Sequence, residues 1–147
     1  MTGPLGSTDI DAVLAANRAF YAAFASRDFA AMDLLWARDV TACCIHPGWP
    51  ALTERTRVLA SWRDIMRAPQ APDVACRGDR AFLYGDTAIV LCEELIGDAV
   101  LAATNLFVRE AGSWRLAHHQ SGQIAPALAR NAPETGAATP GGRPVLH

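Results

Sequence analysis

The change of hydrophobic period near residue 72 constrains this chain more than any other feature. Before it, apolar residues recur at helical spacing. Ile10, Val13, Leu14, Phe20, Tyr21 and Phe24 make one stripe, and Asn17 falls on that same stripe. Phe29, Met32, Leu35 and Trp36 make a second, and Val58, Leu59, Trp62, Ile65 and Met66 a third. After it come strand-like segments over 73–77, 81–84, 87–95, 99–109 and 113–124. They are punctuated by Gly78-Asp79, Gly85-Asp86, Gly97-Asp98 and Ala111-Gly112, which read as turns. Short turns join antiparallel neighbours. Helices first and a meander of strands later predict an α+β domain with its helices on one face of a curved sheet, not a doubly wound parallel one.

Local signals set the expected boundaries. Thr8 and Asp11 are spaced like a capping box, so the first helix is expected to start near Ser7 or Thr8, after a loose leader over 1–7. Ser26-Arg27-Asp28 should end it, Asp28 should cap the second helix and Thr53 the third, and Ala68-Pro69 should close the third. A strand is predicted over 40–46. It would place Val40, Ala42, Cys44 and His46 on one face and Thr41, Cys43 and Ile45 on the other. The domain then covers 8–124, and the Pro-, Gly- and Ala-rich segment 125–147 reads as a tail with little structure of its own.

Composition narrows the function classes. A chain of 147 residues, 51% apolar and 19% charged, suits one globular domain. A net charge of −2 and no basic stripe argue against nucleic acid as a partner. Every basic residue is Arg, which excludes Schiff-base and Lys-base chemistry. Met1–Asp9 has neither the basic nor the apolar part of a secretory signal, and no apolar run approaches the ~20 residues that span a bilayer. Cys43, Cys44, Cys76 and Cys92 form no C-x-x-C pair and read as free thiols of a reducing, cytoplasmic setting.

Candidate chemistry centres on Cys44-Ile45-His46-Pro47-Gly48-Trp49. His46 titrates near neutral pH and sits at a strand end before a rigid turn, with Trp49 beside it to wall a cavity. It reads either as an acid/base or ligand anchor, or as a turn-stabilising histidine. A Cys44–His46 nucleophilic pair is disfavoured, because side chains two apart on a strand lie about 7 Å apart. A metal held by Cys44, His46 and His119 lacks any ligand-spacing motif, so no metal is expected. His118 and His119 point to opposite faces of their strand. Trp114, Leu116, His118 and Gln120 share one face, and Arg115, Ala117, His119 and Ser121 the other, unless a bulge between 114 and 118 intervenes. One of Glu93 and Glu94 must face inward, where burial would raise its pKa. Trp36, Trp49 and Trp62 suit an apolar cavity, although Trp62 sits on a core stripe.

Several segments, in order, resemble a known family. Ala16-Asn17-Arg18-Ala19-Phe20-Tyr21-Ala22-Ala23-Phe24, Asp28 and Leu35-Trp36 resemble the opening helices of SnoaL-like proteins, of the nuclear transport factor 2-like (NTF2-like) superfamily. Cys44–Trp49 with Val58 and Ser61-Trp62, then Asn105-Leu106-Phe107 and Gly112–Ser121, resemble its small bacterial members. Glu54 departs from the pattern, which has Gly in a Leu-x-Gly-Arg turn. The resemblance implies a cone-shaped α+β barrel of three helices on a strongly bent, mostly antiparallel sheet, with a pocket inside and a homodimer through the outer sheet face. It also implies that Asn105, Asn17 and the His119–Ser121 face turn to the pocket, and that neither metal nor organic cofactor is needed. Relatives include steroid isomerases, polyketide cyclases, dehydratases, epoxide hydrolases and non-catalytic association domains. No equivalent of the steroid isomerase Tyr–Asp pair stands out in the sequence.

The expectation is a pocket that binds or transforms a small, largely apolar organic molecule by proton transfer. His46, His119 and Glu93 are the acid/base candidates, and Asn17, Trp49, Trp62, Asn105 and Ser121 the ligand contacts. The alternative is a non-catalytic ligand-binding or association module.

Overall fold

The computed structural model describes residues 5–129 and 136–137. Helix α1 runs Leu5–Ser26, α2 Phe29–Leu35 and α3 Arg55–Arg67. Strand β1 covers Cys43–Ile45, β2 Val74–Tyr84, β3 Thr87–Ile96, β4 Ala99–Glu110, β5 Ser113–Gln123 and β6 Gly136–Ala137. They form one sheet in the order β1-β5-β4-β3-β2-β6. The β2–β5 meander is antiparallel, as the short turns predict, while β1 joins β5 in parallel and β6 joins β2 in parallel. The architecture is α+β as expected. Among the described residues the sheet is curved and not closed, with β1 and β6 at its edges, consistent with the expected α+β cone.

The helix stops follow the sequence closely. Arg27, at φ 56, turns α1 off in a left-handed cap, with Asp28 N–H donating to Ala23 O and Arg27 N–H to Phe24 O. Asp28 then caps α2 by accepting from Ala31 N–H at 3.0 Å. Ala68, held extended before Pro69, closes α3. The starts differ more. Helix α1 begins at Leu5, so Thr8 lies inside it, and of the expected leader only residues 1–4 lie outside the described residues. Nothing in Leu5-Gly6-Ser7 bars a first turn. Thr53 does not cap α3; Glu54 takes the cap position with no side-chain bond. Its φ of −127 is one a Glu adopts freely, so this site has no need of Gly. Arg55 anchors the helix instead, donating to Asp33 O, Asp33 Oδ1 and Ala37 O.

Three further departures have physical causes. Strand β1 is shorter than 40–46, since the backbone N–H groups of Arg38, Asp39 and Val40 are taken by the Glu110 carboxylate rather than by a neighbouring strand. Gly78-Asp79 is not a turn. It is a bulge within a continuous β2, with Gly78 at φ 66 and Asp79 turned back to accept from Arg18 Nε at 3.1 Å. In β5 the register with β4 shifts at Ala117, so that Leu106 pairs His118 while Phe107 pairs Leu116. Of the tail, the described parts are a 3-10 turn over Pro126–Leu128 and β6; the remainder beyond 129 lies outside the described residues.

The core lies between the helices and the inner sheet face. Val13, Phe20, Met32, Trp36, Val58, Val90, Phe107 and Leu116 are its fully buried members. Burial of side chains this size stabilises by roughly 1.5–3 kcal/mol each. No helix among the described residues is long and apolar enough to cross a membrane.

Candidate functional site

A cavity of about 230 Å³ opens between α1, α3, the turn after β1 and the inner faces of β2, β3 and β5. Its walls are mostly apolar: Phe20, Phe24, Trp49, Trp62, Ile65, Val74 and Ile96. Polar atoms enter at few places, from Tyr21, His46, Glu94, His119 and Ser121.

At the mouth, Cys44 and Leu52 exchange backbone hydrogen bonds, and Trp49 N–H closes a turn onto His46 O at 2.9 Å. Pro47 and Gly48 occupy its middle, with Gly48 at φ 81, a conformation that favours glycine. The turn swings His46 inward. Its ring packs edge-on against Trp49 and Trp62, with centroids 4.8 Å away in each case. Ser61 Oγ donates to Val58 O at 2.6 Å, so it must accept from His46 Nε2–H at 2.8 Å. His46 is thereby the Nε2–H tautomer, and burial lowers its pKa to about 4.

The strand-spacing expectation for Cys44 fails in geometry. Because His46 has left the strand, Cys44 Sγ lies 3.7 Å from its Nε2. Burial, foremost, pushes the thiol up to about 12, and a neutral imidazole of low pKa cannot deprotonate it, so the pair is not a nucleophile. Among the described residues no group of three or more His, Cys, Asp or Glu is arranged to hold a metal ion.

The deep end is built by inward positions of β3, β4 and β5. Glu94, and not Glu93, faces the cavity. Glu93 lies on the other face and pairs with Arg77 at 2.8 Å. The sequence could not set this phase, because both faces of β3 are apolar up to residue 92: Ala88, Val90 and Cys92 inside, Ile89 and Leu91 outside. Glu94 Oε2 accepts from Tyr21 OH at 2.7 Å and lies 3.8 Å from His119 Nε2. Burial raises the Glu94 pKa, against the lowering effect of the Tyr21 hydroxyl that donates to it. Ser121 Oγ is buried and makes no hydrogen bond. Tyr21 is held well above its ordinary pKa, first by burial and then by its Cys92 and Glu94 neighbours, so it remains a neutral phenol.

His119 and Ser121 do face inward, and the Ala117 bulge explains why Trp114 and Leu116 do so as well, against the expected alternation. His119 is completely buried, and burial, with His46 and His118 nearby, lowers its pKa to about 3. His118 is half-buried on the outer face.

Asn17 and Asn105 are corrected. Both are fully buried and neither lines the cavity. They bond one another behind it, Asn105 Nδ2 donating to Asn17 Oδ1 at 2.8 Å and to Tyr21 OH at 3.1 Å, while Asn105 Oδ1 faces His119 Nδ1 at 2.5 Å. Trp36 is likewise core, fully buried. Trp49, 44% exposed, and Trp62 line the cavity as expected. Tyr21 escaped the sequence reading because it passes for a stripe residue. Its position one turn after Asn17, two polar atoms on one buried face, was the available signal.

This site stands on a fold with known company. Residues 13–126 match the SnoaL-like domain family, and the chain belongs to it. A solved protein from Streptomyces avermitilis, provisionally named a dehydratase of the NTF2-like family, shares 31% identity at a TM-score of 0.73, covering 80% of this chain and 97% of its own. A Thiobacillus denitrificans protein, provisionally named a calcium/calmodulin-dependent protein kinase type II association domain, shares 33% at 0.69, over 76% and 94%. A ketosteroid isomerase-like protein from Erwinia carotovora atroseptica shares the fold at 18% identity and TM-score 0.65, over 80% and 98%. No curated protein matches the chain by sequence.

Proposed function

We propose that the cavity takes a small, largely apolar organic molecule and that Glu94 moves a proton on it, in isomerase, cyclase or dehydratase fashion. The observation that carries this reading is Glu94 itself. It is a carboxyl buried among aromatic walls, held by Tyr21 and facing the same cavity as the unpartnered Ser121 hydroxyl. A buried carboxyl of raised pKa is a stronger base when ionised than one in water. In its carboxylate form Glu94 removes a proton from carbon next to a carbonyl. The C–H electron pair becomes a C=C bond, and the carbonyl π pair moves to oxygen, where the Ser121 hydroxyl donates. Return of the proton to another carbon completes an isomerisation. Loss of a hydroxide with that proton, released as water, completes a dehydration. His46 and His119, both neutral with low pKa values, serve as acceptors that orient the ligand rather than as the base. The likeness to a provisionally named dehydratase supports the class.

The protein carries this out in the cytoplasm as a homodimer joined through the outer sheet face, where Ile89, Leu91, Leu106 and Val108 stand only half-covered. Light scattering on Leu106→Asp should show a monomer. The test of the site is a thermal-shift and turnover screen of small cyclic enones and hydroxy ketones, with Glu94→Gln as control. A ligand that stabilises the protein and reacts only in the presence of Glu94 supports the reading. Turnover retained by Glu94→Gln overturns it. The second reading, a non-catalytic association module, draws on the likeness to the kinase association domain and predicts assembly with no turnover.

A further inference from the structure

Behind the cavity, one chain of hydrogen bonds links His119 to Glu94. His119 Nδ1 lies 2.5 Å from Asn105 Oδ1; Asn105 Nδ2 reaches Asn17 Oδ1 and Tyr21 OH; Tyr21 OH reaches Glu94. An amide oxygen only accepts, so the proton in the first contact belongs to His119 Nδ1. The ring then carries no proton on Nε2, the nitrogen nearest Glu94. Reversing Asn105 would set its oxygen against Asn17 Oδ1 at 2.8 Å, acceptor against acceptor. Reversing Asn17 as well would remove its Nδ2 from Cys76 Sγ, 3.9 Å away. His119, Asn105, Asn17, Tyr21 and Glu94 are all buried and Cys76 half-buried, so water cannot substitute for a partner lost among the first five.

We propose that Asn17 and Asn105 are positioning residues that lock His119 as the Nδ1–H tautomer, so that the cavity presents a bare Nε2 beside Glu94 and takes there a neutral ligand bearing a hydroxyl donor. The ligand part rests on the cavity reading above; the tautomer part does not. The walls agree with a neutral ligand, since among the described residues no Arg lines the cavity, and the chain has no Lys to offer an anion. Glu94 as base and His119 as acceptor then face a hydroxyl and its neighbouring C–H together, the arrangement of a hydroxy carbonyl compound.

Nitrogen-15 NMR of the imidazoles tests this without ligand or turnover. Wild-type His119 should show a pyrrole-type Nδ1 and a pyridine-type Nε2; a protonated Nε2 overturns the proposal. Asn105→Leu should release the lock and give a tautomer mixture. Asn105→Asp, whose carboxylate still accepts from Nδ1–H, should restore the wild-type pattern. Asn17→Leu should loosen it partly, and an unchanged pattern there removes Asn17 from the lock. Phenol and anisole, alike but for the donor, test the ligand class by titration. Phenol should bind at least several-fold more tightly to the wild type, and Asn105→Leu should lose that preference. Equal binding of the two by the wild type overturns the ligand class. If neither binds while the tautomer pattern holds, the cavity reading fails and the lock stands.

Discussion

Two buried glutamates show what surroundings do to one functional group. Glu94, on β3, receives a single short hydrogen bond, from Tyr21, and burial drives its pKa up. Glu110, at the end of β4, feels burial too, but three backbone N–H groups and Arg115 outweigh it, and its pKa falls. Burial alone makes a carboxyl reluctant to ionise; enough donors make it an obligate anion. The first is suited to carrying a proton. The second is suited to holding the 38–40 loop against the sheet edge.

Predictions that would break or sharpen this contrast run from large to small. Glu94→Gln should lower turnover of any substrate found in the screen by about 10²–10⁴-fold, the usual worth of a positioned acid/base. Steady-state kinetics checks this, and activity in the wild type should rise with pH through the raised Glu94 pKa. Glu110→Ala should cost about 1.5–3 kcal/mol of stability at neutral pH, since it removes the charged acceptor shared by three backbone donors. Urea melts should show that cost shrinking on acidification. A lowered pKa gives stability that is present above the unfolded value and lost as pH falls through the folded one. The pH dependence at Glu94 has the opposite sign. Its raised pKa favours the folded protein below the unfolded value and weighs against it as pH rises through the folded one. Glu94→Gln should therefore be more favourable to stability at pH 8 than at pH 4, measured in the same melts. Glu93→Gln, which breaks only the partly exposed pair with Arg77, should cost about 0.5 kcal/mol or less. A loss of several kcal/mol there would mean that the assignment of faces along β3 is wrong.

The parts of the molecule that were readable in the sequence are those governed by local rules. The three helical stripes, the cap at Asp28, the stop before Pro69 and the antiparallel meander need only a few neighbouring residues to be understood. The parts that were not readable depend on distant partners. Gly78-Asp79 looks the same as the true turns Gly85-Asp86 and Gly97-Asp98, and what makes it a bulge is Arg18, sixty-one residues away. The choice of Glu94 over Glu93 was hidden because β3 is apolar on both faces. The amides of Asn17 and Asn105 stood on inward faces, yet their mutual bond lies behind the cavity wall rather than in it.

The extra residue at Ala117 sets which side chains the two ends of β5 turn inward. Upstream of it the strand presents Trp114 and Leu116 to the core, and downstream it presents His119 and Ser121 to the cavity. Deleting Ala117 alone would join Leu116 directly to His118 and leave a plain alternation along the strand, with the pairing to β4 unchanged. His119 and Ser121 would keep facing the cavity, and His118 and Gln120 would stay outside. The bulge therefore gives β5 one residue to spare: the strand can lose it with its cavity face intact, where an unbulged strand that lost one would turn the rest of its side chains over.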